Sequence, residues 1–346
     1  MTKTPLVSLI DQFLAPKQVL SAIAYTAIQL TTIASLTALS FCVNPALAGD
    51  PFRTSNPHPI GNKTEAAFKA MFEQGNYLAA KAYIEQALSI EQNDPLVYAM
   101  KASLSYIDRD LDGLNAYAKK TREVAERLSK TDPLRGNIYI AASHFLEGAY
   151  TIVKEGTAKG TPQAMKKLRE VLQYLDAAEK IAPADPELNL VKGYMDLMLA
   201  TNLPFSNPNE AIQRLEQKAS PRYLAYRGVA VGYRDLDKYD QALDSVNKAL
   251  AETPNNPEVL YLKAQILVSQ GRRQNNNRTL FDEARKNFDA ALTKPNQLPR
   301  RLVAQIFFEQ CKTRNRLDNS KRACDPMRDA IRDGNGSWGP VVLPPL

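Results

Sequence analysis

A block of alternating small, aromatic and aliphatic residues recurs along the chain, and it restricts the possible architectures more than any other feature. Asn76-Tyr77-Leu78-Ala79-Ala80-Lys81-Ala82-Tyr83-Ile84-Glu85-Gln86-Ala87-Leu88 runs on to Asp94-Pro95. The same shape returns from Val171 through Leu175, Ala178 and Pro183 to Asp185-Pro186. It is cleanest from Lys238-Tyr239 through Ala242, Ala249 and Pro254 to Asn256-Pro257. A unit of this kind cannot bury its apolar face alone, so neighbours must stack into a solenoid.

From Lys63 onward the period is helical: Ala67, Phe68, Met71 and Phe72 keep i, i+3/i+4 spacing, as do Ala80, Ile84, Ala87 and Leu88. No window shows sustained apolar alternation, so the expected fold is all-α. Asx-Pro steps at Asp94-Pro95, Asp132-Pro133, Asp185-Pro186 and Asn256-Pro257, with Lys294-Pro295 behaving alike, punctuate the array. The residue before proline leaves the helical region and proline fits a first turn, so each step can end one helix and open the next. The step from Asp185 to Asn256 is long enough for two units, divided near Ser220-Pro221. Two insertions are expected as loops, Gly156–Pro162 and Gly271–Arg278.

The ends read differently. Lys3 and Lys17 precede an uncharged stretch, Val19 to Val43, closed by Asn44-Pro45-Ala46-Leu47-Ala48-Gly49. A positive start, an apolar centre and a small-x-small end describe an export signal cleaved after Ala48; an uncleaved N-terminal membrane anchor is the alternative. Phe41 before Cys42 disfavours a lipoprotein. Residues 49–62, with three prolines, form an extended leader, 63–333 the repeat domain and 334–346 a non-helical tail around Trp338. Export implies the periplasm or a thylakoid lumen. There Cys311 and Cys324, the cysteines left after cleavage, would form a disulfide; two buried thiols are the alternative. Two cysteines and two histidines are too few for a typical zinc site.

The units resemble the tetratricopeptide repeat, a 34-residue pair of antiparallel helices. The best match carries Tyr226, Ala230 and Tyr233 in its first helix, Ala242, Val246 and Ala249 in its second, and Pro254 at its close. The next gives Leu260, Ala264, Leu267, Gly271, Ala284, Phe288 and Ala291. The first unit departs, with Phe68 where a small residue is usual, and Val171 departs likewise. The resemblance implies a right-handed α-solenoid whose first helices line a concave groove for protein segments. Carried over by position, that groove shows Tyr106, Tyr194, Leu224, Arg227, Val231, Arg234, Tyr261 and Gln265, and Glu187 lies on the same face. These tyrosines could instead pack between units. Arg227 and Val231 stand where a carboxylate-clamping Lys and Asn would be, which disfavours capture of a chain terminus. With its leader and tail, the chain also resembles exported repeat proteins of cyanobacteria.

Charge is concentrated late. Between Arg272 and Arg322 there are 13 Lys/Arg against 5 Asp/Glu, whereas residues 49–271 are nearly neutral. Arg272, Arg273 and Arg278, Arg300 and Arg301, then Lys312, Arg314 and Arg316 form small clusters. They suit an acidic partner or anionic lipid headgroups, or are a solvated basic end. Export speaks against nucleic acid. No nucleophile elbow, phosphate-binding loop or zinc-protease motif is present, and the carboxylate pairs Asp108/Asp110 and Asp235/Asp237 fall in turns, where Asp is expected. His58, between prolines, is expected to be solvated, and His144 to be structural. The expectation is a non-enzymatic protein-binding scaffold of the cell envelope without cofactor or metal. The alternatives are a basic membrane-surface assembly factor and an envelope hydrolase using carboxylates.

Overall fold

A computed structural model describes residues 49–202 and 207–346; the expected export signal lies outside the described residues. Fourteen helices among them form seven consecutive pairs. The first two pairs are α1 (Asn62–Phe68) with α2 (Tyr77–Ile90), and α3 (Pro95–Ile107) with α4 (Leu111–Leu128). Next come α5 (Pro133–Glu155) with α6 (Thr157–Ile181), and α7 (Pro186–Asn202) with α8 (Pro208–Lys218). The last three are α9 (Arg222–Asp235) with α10 (Tyr239–Glu252), α11 (Pro257–Arg273) with α12 (Arg278–Ala291), and α13 (Arg300–Asp318) with α14 (Cys324–Arg332). Each helix packs mainly on its chain neighbours, giving an all-α solenoid of stacked antiparallel pairs. No strand occurs among the described residues, only an isolated bridge between Pro299 and Trp338.

The Asx-Pro steps act as the sequence implies. Asp94, Asp132 and Asn256 cap α3, α5 and α11, their side chains accepting first-turn N–H bonds, and Asp185 accepts from Leu188 N–H. A further step, Asn207-Pro208, opens α8 in the same way. Lys294-Pro295 instead opens a short 3₁₀ turn, Pro295–Gln297, and α13 begins at Arg300. The first expected insertion is no loop. Gly156, at φ +77°, turns the chain in one residue and α6 runs straight through Pro162. The second shrinks to Gln274–Asn277, where Asn275 and Asn276 take left-handed backbone and Asn277 caps α12.

The packing within a pair follows the small residues. Ala230, Ala242, Val246 and Ala249 are fully buried together, which lets α9 and α10 approach closely. Phe68, the departure in the first unit, is explained by its neighbours. It stacks edge-on against Phe52 of the leader at 4.9 Å and against Phe72 at 4.6 Å, and α1 passes into a π-helical turn, Lys69–Glu73. An aromatic here receives the leader instead of a partner helix.

The array also returns on itself. Tyr77 Oη donates to Glu258 at 3.1 Å, and the Asn256 side-chain amide reaches the carbonyls of Phe72 and Glu73 at 3.4 and 3.5 Å. Lys81 lies 5.8 Å from the centre of the Trp338 ring. The tail is held by Arg300 N–H on Ser337 O and Gly339 N–H on Leu298 O. The first pair thus packs against the sixth and against the tail.

Candidate functional site

The face lined by the first helices divides into two halves. In the early half the leader lies against α1 and the starts of α5 and α7. Asp50, buried, shapes its turn by accepting from Phe52 N–H at 2.8 Å and His58 N–H at 3.0 Å. Arg53 then reaches inward, with Asp185 at 2.5 Å, Asp50 at 2.8 Å and Glu187 at 3.1 Å. Arg135 of α5 bridges Asp94 at 3.3 Å and Glu187 at 3.4 Å, and Tyr139 Oη donates to Glu187 at 2.6 Å. Burial alone would lower the Arg53 guanidinium, but Glu187, Asp185 and Asp50 overcome it and raise it above its ordinary value. Glu187, placed on the groove face by sequence, is therefore already occupied. His58, expected in solvent, has Nδ1 2.5 Å from Asp132 because the leader folds back onto the start of α5.

Most of the expected groove residues are used inside the molecule. Tyr194 Oη donates to Leu224 O at 2.6 Å, with its ring against Gly228, so it packs one unit on the next. Leu224 is buried and Val231 partly so. Arg227 sits 2.5 Å from Glu258, both buried. Burial pushes the Glu258 carboxyl up and Arg227 pulls it back; with the guanidinium in direct contact, the ion pair is the state that fits. Tyr106, half-buried on α3, faces Arg301 from the other end of the chain. Burial raises its phenol against the pull of Arg301 and Arg109.

The late half is open. A cleft of about 690 Å³ lies between α9, α11 and α13. Two of the expected groove residues, Arg234 and Gln265, line it, and a third, buried Tyr261, joins them through Glu309. Arg234 donates to Gln265 at 3.1 Å, and Gln265 and Tyr261 both donate to Glu309, Tyr261 at 2.9 Å. Glu309 and the cleft-lining Phe308, Lys312 and Arg316 were not expected in the groove. Their helix shows no clear repeat match, although the spacing of Gln305, Phe308, Glu309 and Lys312 marks one face.

The structure separates the expected basic patch. Arg272 lines the cleft, while Arg273 pairs with Asp237. Arg278 lines a different cleft of about 680 Å³ with Arg285 and Arg314, donating to Leu317 O. Arg300 is consumed by the tail, with Nε on Gly336 O at 2.8 Å, and Arg301 lies with Arg109 and Arg332. The turn carboxylates have structural partners: Asp108 with Lys81, Asp110 on Gly113 N–H and Asp235 with Arg234. Cys311 and Cys324 face each other with Cα atoms 5.7 Å apart.

His144 belongs to a separate network between α5 and α6. Its ring stacks on Tyr174 at 5.6 Å, and Nδ1 lies 3.1 Å from Glu170 and 3.4 Å from Glu147. Burial raises Glu147, but His144, Lys167 and Arg122 outweigh it and hold the carboxyl at about 2. Among the described residues no three His, Cys, Asp or Glu side chains gather as a metal site, and no helix is long and apolar enough to cross a membrane.

No family model matches the chain. Over 198 residues, 57% of the chain, it is 23% identical to human tetratricopeptide repeat protein 7A, of which the match takes in 22%. Over 147 residues, 41% of the chain, it is 26% identical to the Photosystem I assembly protein Ycf3 of Prochlorococcus marinus, covering 76% of that protein. Fold and relatives together define the class: an α-helical repeat protein distantly related to tetratricopeptide repeat proteins.

Proposed function

We propose that the protein is a non-enzymatic scaffold of the cell envelope that holds a segment of another protein in the late half of its first-helix face. The single observation behind this reading is the open cleft between α9, α11 and α13 in a face whose early half is filled by the chain's own leader. Of the carboxyls pushed up by burial, Asp196, Glu252 and Glu258 each answer to a different arginine, namely Arg214, Arg222 and Arg227. They do not form the facing pair that acid/base hydrolysis asks for. Export to the periplasm or a thylakoid lumen, with cleavage after Ala48, completes the proposal. A disulfide between Cys311 and Cys324 fits it, since their Cα separation of 5.7 Å is in the range bridged cysteines adopt. Relatedness to a protein named for photosystem I assembly is consistent with a role in building envelope complexes.

A photo-crosslinking amino acid at Ser269, on the cleft wall, should capture a protein partner from native envelope, and one at exposed Ile90 should not. Capture at Ser269 should persist at moderate ionic strength. Equal capture at both positions, or none at Ser269, would defeat the scaffold reading. Capture that collapses as salt rises would favour the basic membrane-surface factor instead.

A further inference from the structure

The cleft is polar, and its charges are unevenly committed. Asp235 is held by Arg234 at 2.8 Å, and Asp237 by Arg273 and Tyr239. Glu309 accepts from Tyr261, Gln265 and Gln305. Lys312 is 3.1 Å from Asp325. Two cations remain. Arg272, exposed in the last turn of α11, makes no hydrogen bond or ion pair among the described residues. Arg316, half-buried on α13, gives one bond to its own helix, Lys312 O at 3.3 Å, and lies 6.0 Å from the Phe281 ring centre. Arg272 of α11 and Arg316 of α13 line the same cleft, and burial together with the charge of Arg272 lowers the Arg316 guanidinium.

Resting on the scaffold reading of this cleft, we propose that Arg272 and Arg316 form the seat for an aspartate or glutamate side chain of a bound protein segment, with Phe308 and Val268 receiving a neighbouring apolar residue. A carboxylate between two guanidiniums would gain charge-assisted bonds from both and remove their mutual repulsion. The distribution of acids favours a discrete carboxylate over a lipid surface. Asp235, Asp237 and Glu309 share the cleft with the arginines. A continuous anionic sheet would meet those acids as well, whereas a peptide can place one acid on the arginine pair and keep the others away.

The test uses the full mature chain and three labelled peptides that alternate Leu with Glu, Gln or Lys, followed by fluorescence anisotropy. The Glu peptide should bind about tenfold or more tightly than its Gln twin, with the Lys twin weakest. Arg272→Gln with Arg316→Gln should erase the difference between Glu and Gln peptides, and Arg278→Gln, in the other cleft, should not. If Arg316→Gln lowers Tm, Arg272→Gln alone carries the comparison, because its side chain is exposed and unbonded. A Glu peptide that binds no better than its Gln twin, or an advantage that survives both substitutions, overturns the seat. Equal binding of Glu and Gln peptides would do so while leaving the scaffold reading intact. Vesicles of equal parts phosphatidylcholine and phosphatidylglycerol serve as the last arm. Loss of vesicle binding in the double variant without loss of peptide binding would assign the arginines to lipid and overturn the seat too.

Discussion

The two halves of the first-helix face begin from the same repeat geometry and end in opposite states. Across α3, α5 and α7 the face has become interior: Arg53 and Arg135 sit among Asp50, Asp94, Asp185 and Glu187, with the Arg53 side chain 7% exposed. Across α9, α11 and α13 it holds solvent-accessible space, and the Arg272 side chain makes no ion pair among the described residues. What separates them is a short stretch of chain outside the repeats. A leader with Phe52 and Arg53 turns one stretch of groove into core, and the stretch it does not reach stays available.

The largest effect should come from Arg53→Met. Removing one member of a buried ion cluster leaves acids without a counter-charge, at a cost of about 3–5 kcal/mol. Arg272→Gln in the open half should change stability by no more than about 0.5 kcal/mol. Urea unfolding of both variants tests the contrast directly, and similar losses would mean that the two halves are not different in kind.

Next in size is the proposed disulfide, which ties α13 to α14 on the open side as Arg53 ties the leader on the closed side. Closing its 13-residue separation should contribute about 3 kcal/mol. Replacing Cys311 and Cys324 with Ser should lower the unfolding midpoint accordingly and expose α14 to hydrogen exchange. Two freely alkylated thiols in exported protein would remove this prediction and the bridge together.

The sequence disclosed the periodic part of this structure more fully than the aperiodic part, for physical reasons. Asx-Pro steps act locally, through a cap and a fixed φ, so the starts of α3, α5, α7 and α11 were readable. The turn at Gly156 was misjudged because two glycines and a proline look like a loop, when one residue at positive φ suffices. Arg234 and Gln265, expected on the groove face from repeat register, line the open cleft, and so does Arg272, which clustered charge alone had singled out. The leader's insertion was not readable, because Arg53 meets its partners across 132 and 134 residues and no period links them. One sign was present: Phe68 at a position that favours a small side chain, now seen to receive Phe52.

A smaller effect, outside both halves, contrasts an ion network near solvent with the sealed one at Arg53. Glu147 is held at about 2 against an ordinary 4.5 by His144, Lys167 and Arg122, the last two 27% and 30% exposed. A depressed folded value contributes stability that is complete above about pH 4.5 and lost as pH falls toward 2. Discounted for the exposure of its partners, the contribution is about 2 kcal/mol. Glu147→Gln should flatten that part of the stability–pH curve, and an unchanged curve would place the acid sensitivity elsewhere.

The smallest effect bears on what holds the leader in place. Gly49 N–H donates to Glu65 Oε2 at 2.9 Å, while Lys69 takes Oε1 at 2.6 Å. If the chain is cleaved after Ala48, that amide becomes an α-ammonium and the contact becomes an ion pair, worth about 0.2–1 kcal/mol at an exposed site. N-acetylation of the mature chain removes the Gly49 charge and spares the pair between Glu65 and Lys69. Its effect in the native chain, minus its effect in Glu65→Gln, therefore isolates the single contact. Faster hydrogen exchange at the Phe52 and His58 amides, whose acceptor is Asp50 in the same turn, should accompany acetylation only when Glu65 is present. Equal exchange in all four forms would show that Arg53 and Phe52 hold the leader without help from its new terminus.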